Sequence, residues 1–395
     1  MADIDPYPLY NRSYLLYRVS PLHHGDTPLL NDRSLKTHAK RLREQLKGDN
    51  VRGVEVDFAG TQDALPKLGP LEECDWDVIG DEDAWIDRQR QLVDPDASQL
   101  TTVVPAEQAR GIEVSLRYEK QSYNALLLRD PRVTASPDGF TSLPLLLVKM
   151  PSAIRDIFLN YIRTGFDAHV APLRLSSAFV TSSLETYFRH LSADNSGQSA
   201  QDVIRQLQVQ LSFPNATTLL RHLEVTIAGR NVAGFPSRGR LLKDVKEMPF
   251  TAALSAYIKK HLALDISHPK VQVSRISCAT FTLGTDRLKL MAPDILDTSS
   301  LEDSSMPDAS GSQLAIEEFY ASLVREATGT GKFLPDDLTA DRRSSTPSST
   351  TSTRVGRRKR AVSSATAGAR NTKRSKAREK ENSRSELGDA EMVNA

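Results

Sequence analysis

Cysteine is scarce in this sequence, since Cys74 and Cys278 are the only two among 395 residues. A disulfide framework and a zinc site built from paired cysteines are therefore excluded, and the cysteine content fits a reducing compartment. Long apolar runs are also lacking, because the longest aliphatic stretch, residues 143–148, contains Pro144 and is far too short to span a bilayer. The first ten residues are acidic and have no apolar core, so we expect no signal peptide and no membrane association.

Catalytic signatures are missing as well. Residues 326–333 suggest a phosphate-binding loop, but Glu326 stands where the first glycine is required and Phe333 where magnesium needs Ser or Thr. His23 and His24 are adjacent, yet no second set of clustered ligands accompanies them to form a metal site. We therefore predict a binding or scaffold protein with no cofactor, metal or small-molecule substrate. A nuclear enzyme with an unrecognised site is the least favoured alternative.

Charge is distributed unevenly along the chain. Net charge is +1, but residues 341–395 hold fourteen Lys and Arg against six Asp and Glu, which leaves the remainder mildly acidic. Two basic clusters in this tail are separated by twelve residues rich in Ser, Thr, Ala and Gly, the spacing of a bipartite nuclear import signal. The signal residues are Lys359, Arg360, Lys373, Arg374 and Lys376. We expect nuclear localisation and binding of an import receptor; the alternative is a solvated tail that touches nucleic acid without specificity.

Hydrophobic periodicity predicts clusters of strands that are interrupted by single helices. Strand patterns lie at residues 14–19, 54–58, 112–118, 123–128, 145–149, 207–213, 223–227, 271–273, 281–283 and 288–290. Helix patterns lie at residues 34–47, 152–164, 177–191, 249–264 and 313–327. This order predicts an α+β fold with curved, mostly antiparallel sheets and helices packed on one face, followed by a disordered basic C-terminal tail.

These patterns divide the chain into consecutive regions. We assign an N-terminal α+β region to 1–192, a C-terminal α+β partner-binding region to 200–292, a linker to 293–312, a helix to 313–328 and the disordered tail to 329–395. Within the first region, residues 69–98 carry ten acidic residues against two basic ones and contain both tryptophans, Trp76 and Trp85. We interpret this segment as a flexible acidic insertion whose aromatics pack locally. A recruitment peptide that binds a groove on a partner is the alternative.

A basic segment at residues 229–246 is the candidate nucleic-acid surface of the body. Its first part, GRNVAGFPSRGR, contains glycine and no acidic residue, so its cations could neutralise phosphates. The candidate DNA-phosphate contacts are Arg221, Arg230, Arg238, Arg240, Lys243 and Lys246. An ordinary surface loop with solvated charges is an equally weighted interpretation, and Phe235 alone is available there to stack on a base.

The N-terminal block resembles a known family. The segment YPLYNRSYLLYRVSPLHHGD, followed by the helix LKTHAKRLREQLKGD and the strand VRGVEV, is similar to the fungal form of the centromere protein L family. The resemblance implies a non-enzymatic subunit of the constitutive inner kinetochore at centromeres, built from curved antiparallel sheets carrying helices. It also implies pairing with a centromere protein N-type subunit, association with other inner-kinetochore proteins and contact with centromeric DNA or nucleosomes.

The resemblance further implies where that pairing takes place. Family members pair through C-terminal strands, which maps the partner interface here to residues 271–290, and an exposed edge strand would invite an intermolecular sheet. The candidate interface residues are Val271, Val273, Phe281, Leu283, Leu288 and Leu290. The competing hypothesis is a generic nuclear DNA-binding or chromatin adaptor that uses the basic loop and tail. It predicts salt-dependent DNA binding without any protein partner.

Overall fold

The structure is a computed structural model that describes most of the chain before the basic tail. The described residues are 6–51, 68–93, 104–130, 132, 136–193, 205–214, 220–242, 247–292 and 311–329. The strand expected at 54–58 and the import clusters of the tail lie outside these ranges. Among the described helices, none has the length and apolar composition needed to cross a membrane.

The first half of the chain supplies the longest helix and the most buried strands. In chain order its elements are β1 (Ser13–Val19), β2 (Leu22–His23), α1 (Asp32–Val51), β3 (Leu71–Ile79), α2 (Glu82–Val93), β4 (Gly111–Tyr118), β5 (Ser122–Leu128), β6 (Phe140–Thr141), β7 (Leu145–Lys149), α3 (Ser152–Gly165), β8 (Val170–Pro172) and α4 (Ser177–Ala193). The four apolar residues that open β7 are buried on both sides of the strand, as their uninterrupted run predicts.

The second half continues the same sheet and adds the remaining helices. Its elements are β9 (Gln206–Ser212), β10 (His222–Ala228), α5 (Gly229–Val232), α6 (Phe235–Arg240), α7 (Pro249–Leu262), β11 (Gln272–Ser277), β12 (Phe281–Gly284), β13 (Arg287–Leu290) and α8 (Gly311–Thr328). Strand β9 alternates as its sequence predicts, with Leu207, Val209 and Leu211 fully buried and the glutamines between them on the wetter face.

One large sheet joins the two halves of the described chain. Its strand order is β10-β9-β11-β12-β13-β1-β7-β5-β4-β3, with β8 also paired to β1, and each of these pairings is antiparallel. Strand β1 joins the halves, because Ser13 lies opposite Lys289 of β13 while Leu16 lies opposite Leu147 of β7. Strands β10 and β3 therefore stand at opposite ends of this order.

Two hydrophobic cores lie on opposite faces of the sheet. In β7, Leu145 and Leu147 point into the larger core while Leu146 and Val148 point into the smaller one, as successive residues of a strand must. The larger core also holds the apolar faces of α4, α7 and α8, and the smaller core holds those of α1 and α3. The predicted α+β class with mostly antiparallel strands is confirmed. Helices cover both faces of the sheet where its strands are apolar on both sides.

The acidic segment is folded, so its interpretation as a flexible insertion is wrong for residues 71–93. Strand β3 pairs along its length with β4, and α2 follows it. Trp76 is buried in the smaller core, and Trp85 packs against the larger one. The segment folds because Cys74, Trp76 and Val78 alternate with acidic residues and supply one apolar strand face, a period-2 pattern that the high charge obscured.

The basic segment is helical where it is described, which corrects its assignment as a loop. Residues 229–232 form α5 and residues 235–240 form α6. Burial explains the ordering, because Val232 and Phe235 are each 1 % exposed and both belong to the larger core. Arg230, Arg238 and Arg240 therefore extend from short, anchored helices.

Helix α8 packs into the body of the protein after the linker that precedes it. Ala315, Phe319 and Leu323 are buried in the larger core, where α8 lies against α4. At its start an ion pair joins Glu317 to Arg110 at 2.8 Å. The hydroxyl of Tyr320 donates to the carbonyl of Arg129, so α8 is also held to the end of β5.

Candidate interaction surfaces

Several buried polar groups of the described residues hold the elements of the protein together. Glu185 of α4 accepts hydrogen bonds from the backbone N–H groups of Phe250 and Thr251 at 3.1 and 2.8 Å, and so satisfies the first turn of α7. The Arg129 guanidinium donates to the carbonyl of Ala109 at 2.9 Å. Such contacts fix the relative positions of helices and strands, which is a structural role.

A titratable cluster joins the N-terminal segment to α2 and α8. The hydroxyl of Tyr7 donates to the carbonyl of Gly80 at 2.8 Å, and that of Tyr10 donates to Glu82 at 2.9 Å. Burial raises the pKa of both tyrosines and the pKa of Glu82. Shifted pKa values also mark catalytic sites. Here the groups bond to one another, and no set of three His, Cys, Asp or Glu side chains suited to a metal is found in the described residues.

The strands expected to pair with a partner lie inside the sheet. Strand β11 pairs with β9 and β12, β12 with β11 and β13, and β13 with β12 and β1. Their candidate residues Val273, Phe281, Leu283, Leu288 and Leu290 are buried in the larger core, and Val271 is half-buried beside it. The premise that residues 271–290 include an exposed edge strand is therefore wrong, because both neighbours of each strand come from this chain.

The sheet has two ends, and acidic side chains protect the end formed by β3. Glu73, Asp75 and Asp77 occupy alternate positions of this strand, where charge discourages the addition of another chain. Glu73 pairs with Arg117 at 2.8 Å and Asp77 with Arg88 at 3.2 Å. In addition, Arg43 of α1 donates to the carbonyl of Glu72, so a helix covers part of this edge.

The other end of the sheet, β10, is open among the described residues. Phe213 N–H donates to the Arg221 carbonyl and Gly229 N–H donates to that of Arg205, which fixes the phase of the β9–β10 ladder. Hydrogen-bonded and non-hydrogen-bonded residue pairs alternate along two antiparallel strands, so the odd-numbered residues of β10 form the backbone hydrogen bonds to β9. The backbone N–H and C=O groups of 222, 224 and 226 then point outward, and no described residue bonds to them.

The side chains of β10 suit this open position. Leu223 and Val225 pack against the larger core but remain only partly covered, and Leu220, just before the strand, is 53 % exposed. Glu224 is the single acidic residue of this strand, against three at alternate positions of β3, and it is paired with Arg275 at 3.3 Å. An added strand would pair with the free backbone groups and cover the partly exposed apolar side chains.

The sequence-predicted phosphate contacts that the structure describes are spread over the start of β10, α5 and α6, and do not form one cluster. Arg221 precedes the strand, Arg230 lies in α5, and Arg238 and Arg240 lie in α6; all four are exposed. The guanidinium of Arg238 already donates to the carbonyls of Gly234 and Asn231 and lies 5.0 Å from the Phe235 ring centroid. The last two candidates, Lys243 and Lys246, lie outside the described residues.

Sequence reasoning missed both the β10 edge and a basic face of α1. The strand pattern of β10 was recognised, but edge status depends on which strands pair and has no local signal. The basic face did have a signal, because Arg33, Lys36, Lys40 and Lys47 recur at helical spacing. The prediction of this helix rested on its apolar face alone.

A comparison with protein-family models gives one match for this chain. The model described as centromere protein L matches residues 8–328, which include every element from β1 to α8. A search of the curated proteins found no significant match. The family match extends well beyond the N-terminal block that carried the resemblance in the sequence.

Proposed function

The chain belongs to the centromere protein L family, and from that premise we propose that it is a non-enzymatic structural subunit of the inner kinetochore that pairs with a centromere protein N-type subunit. The family places the protein in the nucleus, at the centromeres of chromosomes, among the components of the kinetochore. We further propose that the pair helps to anchor the assembly to centromeric chromatin. The bipartite clusters of the tail, Lys359-Arg360 and Lys373 to Lys376, would supply import.

The observation that carries the pairing proposal is the open edge of β10. An extended segment of the partner would add to β10 and use the outward N–H and C=O groups of His222, Glu224 and Thr226. This location keeps the interface in the C-terminal half, as the resemblance implied, but moves it from residues 271–290 to 222–228. Strands β11 to β13 then support the interface from within the sheet and need not lose any of their own pairing.

Proline at Thr226 tests the edge directly. Proline lacks an N–H, and an edge strand tolerates it where that group points to solvent. Because the Thr226 N–H points away from β9, Thr226→Pro should leave the sheet folded yet remove a donor from the added strand and introduce a ring there. We expect the affinity of the full-length chain for a centromere protein N-type subunit of the same species to fall about tenfold or more. Co-elution and titration calorimetry measure the change.

Thr226→Val is the matched control, since it keeps both the backbone N–H and the β-branched shape. It should bind the partner as the wild type does. Circular dichroism and a melting curve establish that both variants remain folded. Equal affinity of the proline and valine variants for the partner would exclude the β10 edge as the interface. If the wild-type chain does not bind a centromere protein N-type subunit at all, the proposed heterodimer is refuted.

A further inference from the structure

Helix α1 presents a continuous basic face to solvent. Its exposed residues include Arg33, Lys36, Lys40, Arg41 and Lys47, which we call the α1 stripe. At a rise of about 1.5 Å per residue, the stripe runs about 21 Å along the helix. Asp32 and Glu44 are exposed acidic residues of the same helix, but no described carboxylate lies within ion-pair distance of any of the five cations.

The stripe has no role in packing the helix. The opposite face of α1 is anchored by Leu35, Ala39 and Leu42, which are 0, 7 and 0 % exposed in the smaller core. Arg33 lies in the first turn, where the positive end of the helix dipole disfavours a cation. Packing therefore gives no reason for these charges, and the position of Arg33 opposes stability slightly.

From this surface we infer that the α1 stripe binds the phosphate backbone of duplex DNA. Five exposed cations complement a polymer that carries one negative charge per about 1.7 Å of helix axis. No aromatic side chain lies among the five, so the stripe lacks the stacking platforms that single-stranded nucleic acid uses. An open depression at the start of the helix is lined by Asn31, Asp32, Arg33, Lys36, Thr37 and Lys40, so three cations of the stripe face it together with one carboxylate. The stripe would contact the phosphates and not the base edges, so its binding would not depend on base sequence.

The position of α1 keeps this surface accessible in a complex. Helix α1 packs against β3 and α3, and β3 stands at the opposite end of the sheet order from β10. A partner strand added to β10 would therefore leave the stripe exposed. In this respect the inference rests on the proposed function, because it assigns the chromatin contact of the kinetochore subunit to a surface separate from its partner edge.

The sequence-predicted set beside β10 is less suited to DNA. Arg221 and Arg230 flank the strand that would receive the partner, so a bound partner would lie next to them. The guanidinium of Arg238 is already held by two carbonyls and the Phe235 ring. Arg240 remains exposed, but a single free cation contributes little to the neutralisation of a polyanion.

The test compares two triple variants of the full-length chain that remove equal charge. In the first, Arg33, Lys36 and Lys40 are replaced by Gln; in the second, Arg221, Arg230 and Arg240 are replaced by Gln. Binding to a fluorescent duplex of arbitrary sequence is measured by anisotropy between 50 and 200 mM salt. The basic tail is present in all three proteins and contributes the same background to each.

We expect the stripe variant to bind at least roughly tenfold more weakly at 100 mM salt, with the slope of log K against log salt reduced by about 3. The β10-side variant should keep the wild-type slope. The melting temperature of the stripe variant should equal or exceed that of the wild type, because the three replaced side chains are exposed and Arg33 opposes the helix dipole. A loss of DNA binding at an unchanged melting temperature would then not result from unfolding.

Three results would overturn the inference. A stripe variant with wild-type affinity and slope would remove DNA as the occupant. A larger loss in the β10-side variant would move the DNA contact to that end of the sheet. Weakened binding to nucleosomes with unchanged binding to naked duplex would assign the stripe to an acidic protein surface. Partner capture, measured in parallel, separates this inference from the proposed pairing. If the chain captures no partner but its DNA binding still depends on the stripe, only the pairing is refuted.

Discussion

Among single residues, His38 shows how the folded environment changes chemistry. Its Nδ1 lies 2.8 Å from the Tyr161 hydroxyl, and its ring centroid is 4.4 Å from that of Phe166 and 5.8 Å from that of Trp76. Burial lowers the pKa of His38 from 6.5 to about 4, and the positive charge of Arg41 acts in the same direction. The folded protein therefore favours the neutral form of the His38 imidazole.

This shift predicts that stability falls as the solution is acidified. Since the folded-state pKa lies below the unfolded value, the unfolded chain takes up the proton first. The contribution of neutral His38 is complete above pH 6.5 and is lost as pH falls from 6.5 towards 4. After allowance for partial exposure, we expect His38→Gln to reduce the drop in unfolding free energy between pH 7 and pH 5 by about 1 kcal/mol. Urea unfolding at the two pH values measures it.

The control is His169→Gln, which removes an exposed imidazole. If His38→Gln and His169→Gln show equal drops between pH 7 and pH 5, then His38 does not titrate as its surroundings require.

Residues in periodic segments were assigned to the core correctly from sequence, whereas His38 and Glu185 were not. The apolar positions of α1 and β9 follow from helical and strand periods alone. Glu185 is 9 % exposed because the start of α7 meets it in space, 65 residues further along the chain. A polar side chain reveals such a partner only after the fold has brought the two elements together.

At the scale of elements, the sequence predicted helix α8 but not the place where it packs. Its pattern predicted residues 313–327, and the structure has a helix at Gly311–Thr328. Its packing against α4 could not be predicted, because a polar linker gives no indication of where the following helix docks. Phe319 lies with its ring 6.3 Å from that of Phe281, so α8 closes the larger core over β12.

Truncation of one buried side chain of α8 should therefore destabilise the whole described fold. Leu323 is 1 % exposed, and Leu323→Ala is expected to lower the free energy of unfolding by about 2–4 kcal/mol through lost burial and a cavity. Leu314 on the same helix is 48 % exposed, so Leu314→Ala should cost within about 0.5 kcal/mol. Denaturant unfolding distinguishes them. Similar small losses in both variants would mean that α8 does not close the core.

Strand β3 is an element that the high charge of its sequence concealed. High charge suggested disorder, but Leu71, Cys74, Trp76 and Ile79 are buried. The charges serve a different purpose at this sheet end, where they oppose pairing with another chain. Strand β10 has a single acidic residue, Glu224, and this asymmetry supports the proposal that the partner adds to that end of the sheet.

At the scale of the whole molecule, the sheet separates two proposed tasks. The partner edge stands at β10 and the basic helix α1 packs at the β3 end, with ten strands in the order between and including them. A subunit with binding surfaces at both ends of one rigid sheet can connect a protein neighbour to DNA without a hinge. The larger core contains residues of strands from both halves of the chain.

Delivery of the molecule to the nucleus is proposed to depend on its tail. Replacement of Lys373, Arg374 and Lys376 by Ala removes the distal cluster, and we expect nuclear accumulation of the tagged full-length chain to fall by about half or more, because both clusters of a bipartite signal must bind. Live-cell imaging of the nuclear-to-cytoplasmic ratio measures it. Alanine at Arg342, Arg343 and Arg354 removes equal charge outside the clusters and should leave the ratio unchanged.

An unchanged ratio in the distal-cluster variant would refute the bipartite assignment. An equal fall in both variants would show that total basic charge, and not the spacing of the clusters, directs the chain to the nucleus.

The sequence by itself determined the strongly periodic elements of this protein and their buried faces. Helical and strand periods are local properties, so they gave α1, α3, β4, β9 and the α+β class before any contact was known. Only the tertiary structure decided that β11 to β13 lie inside the sheet, that β3 is ordered and that β10 is open. Those facts depend on hydrogen bonds between segments far apart in the chain, and a strand's own residues do not specify its neighbours.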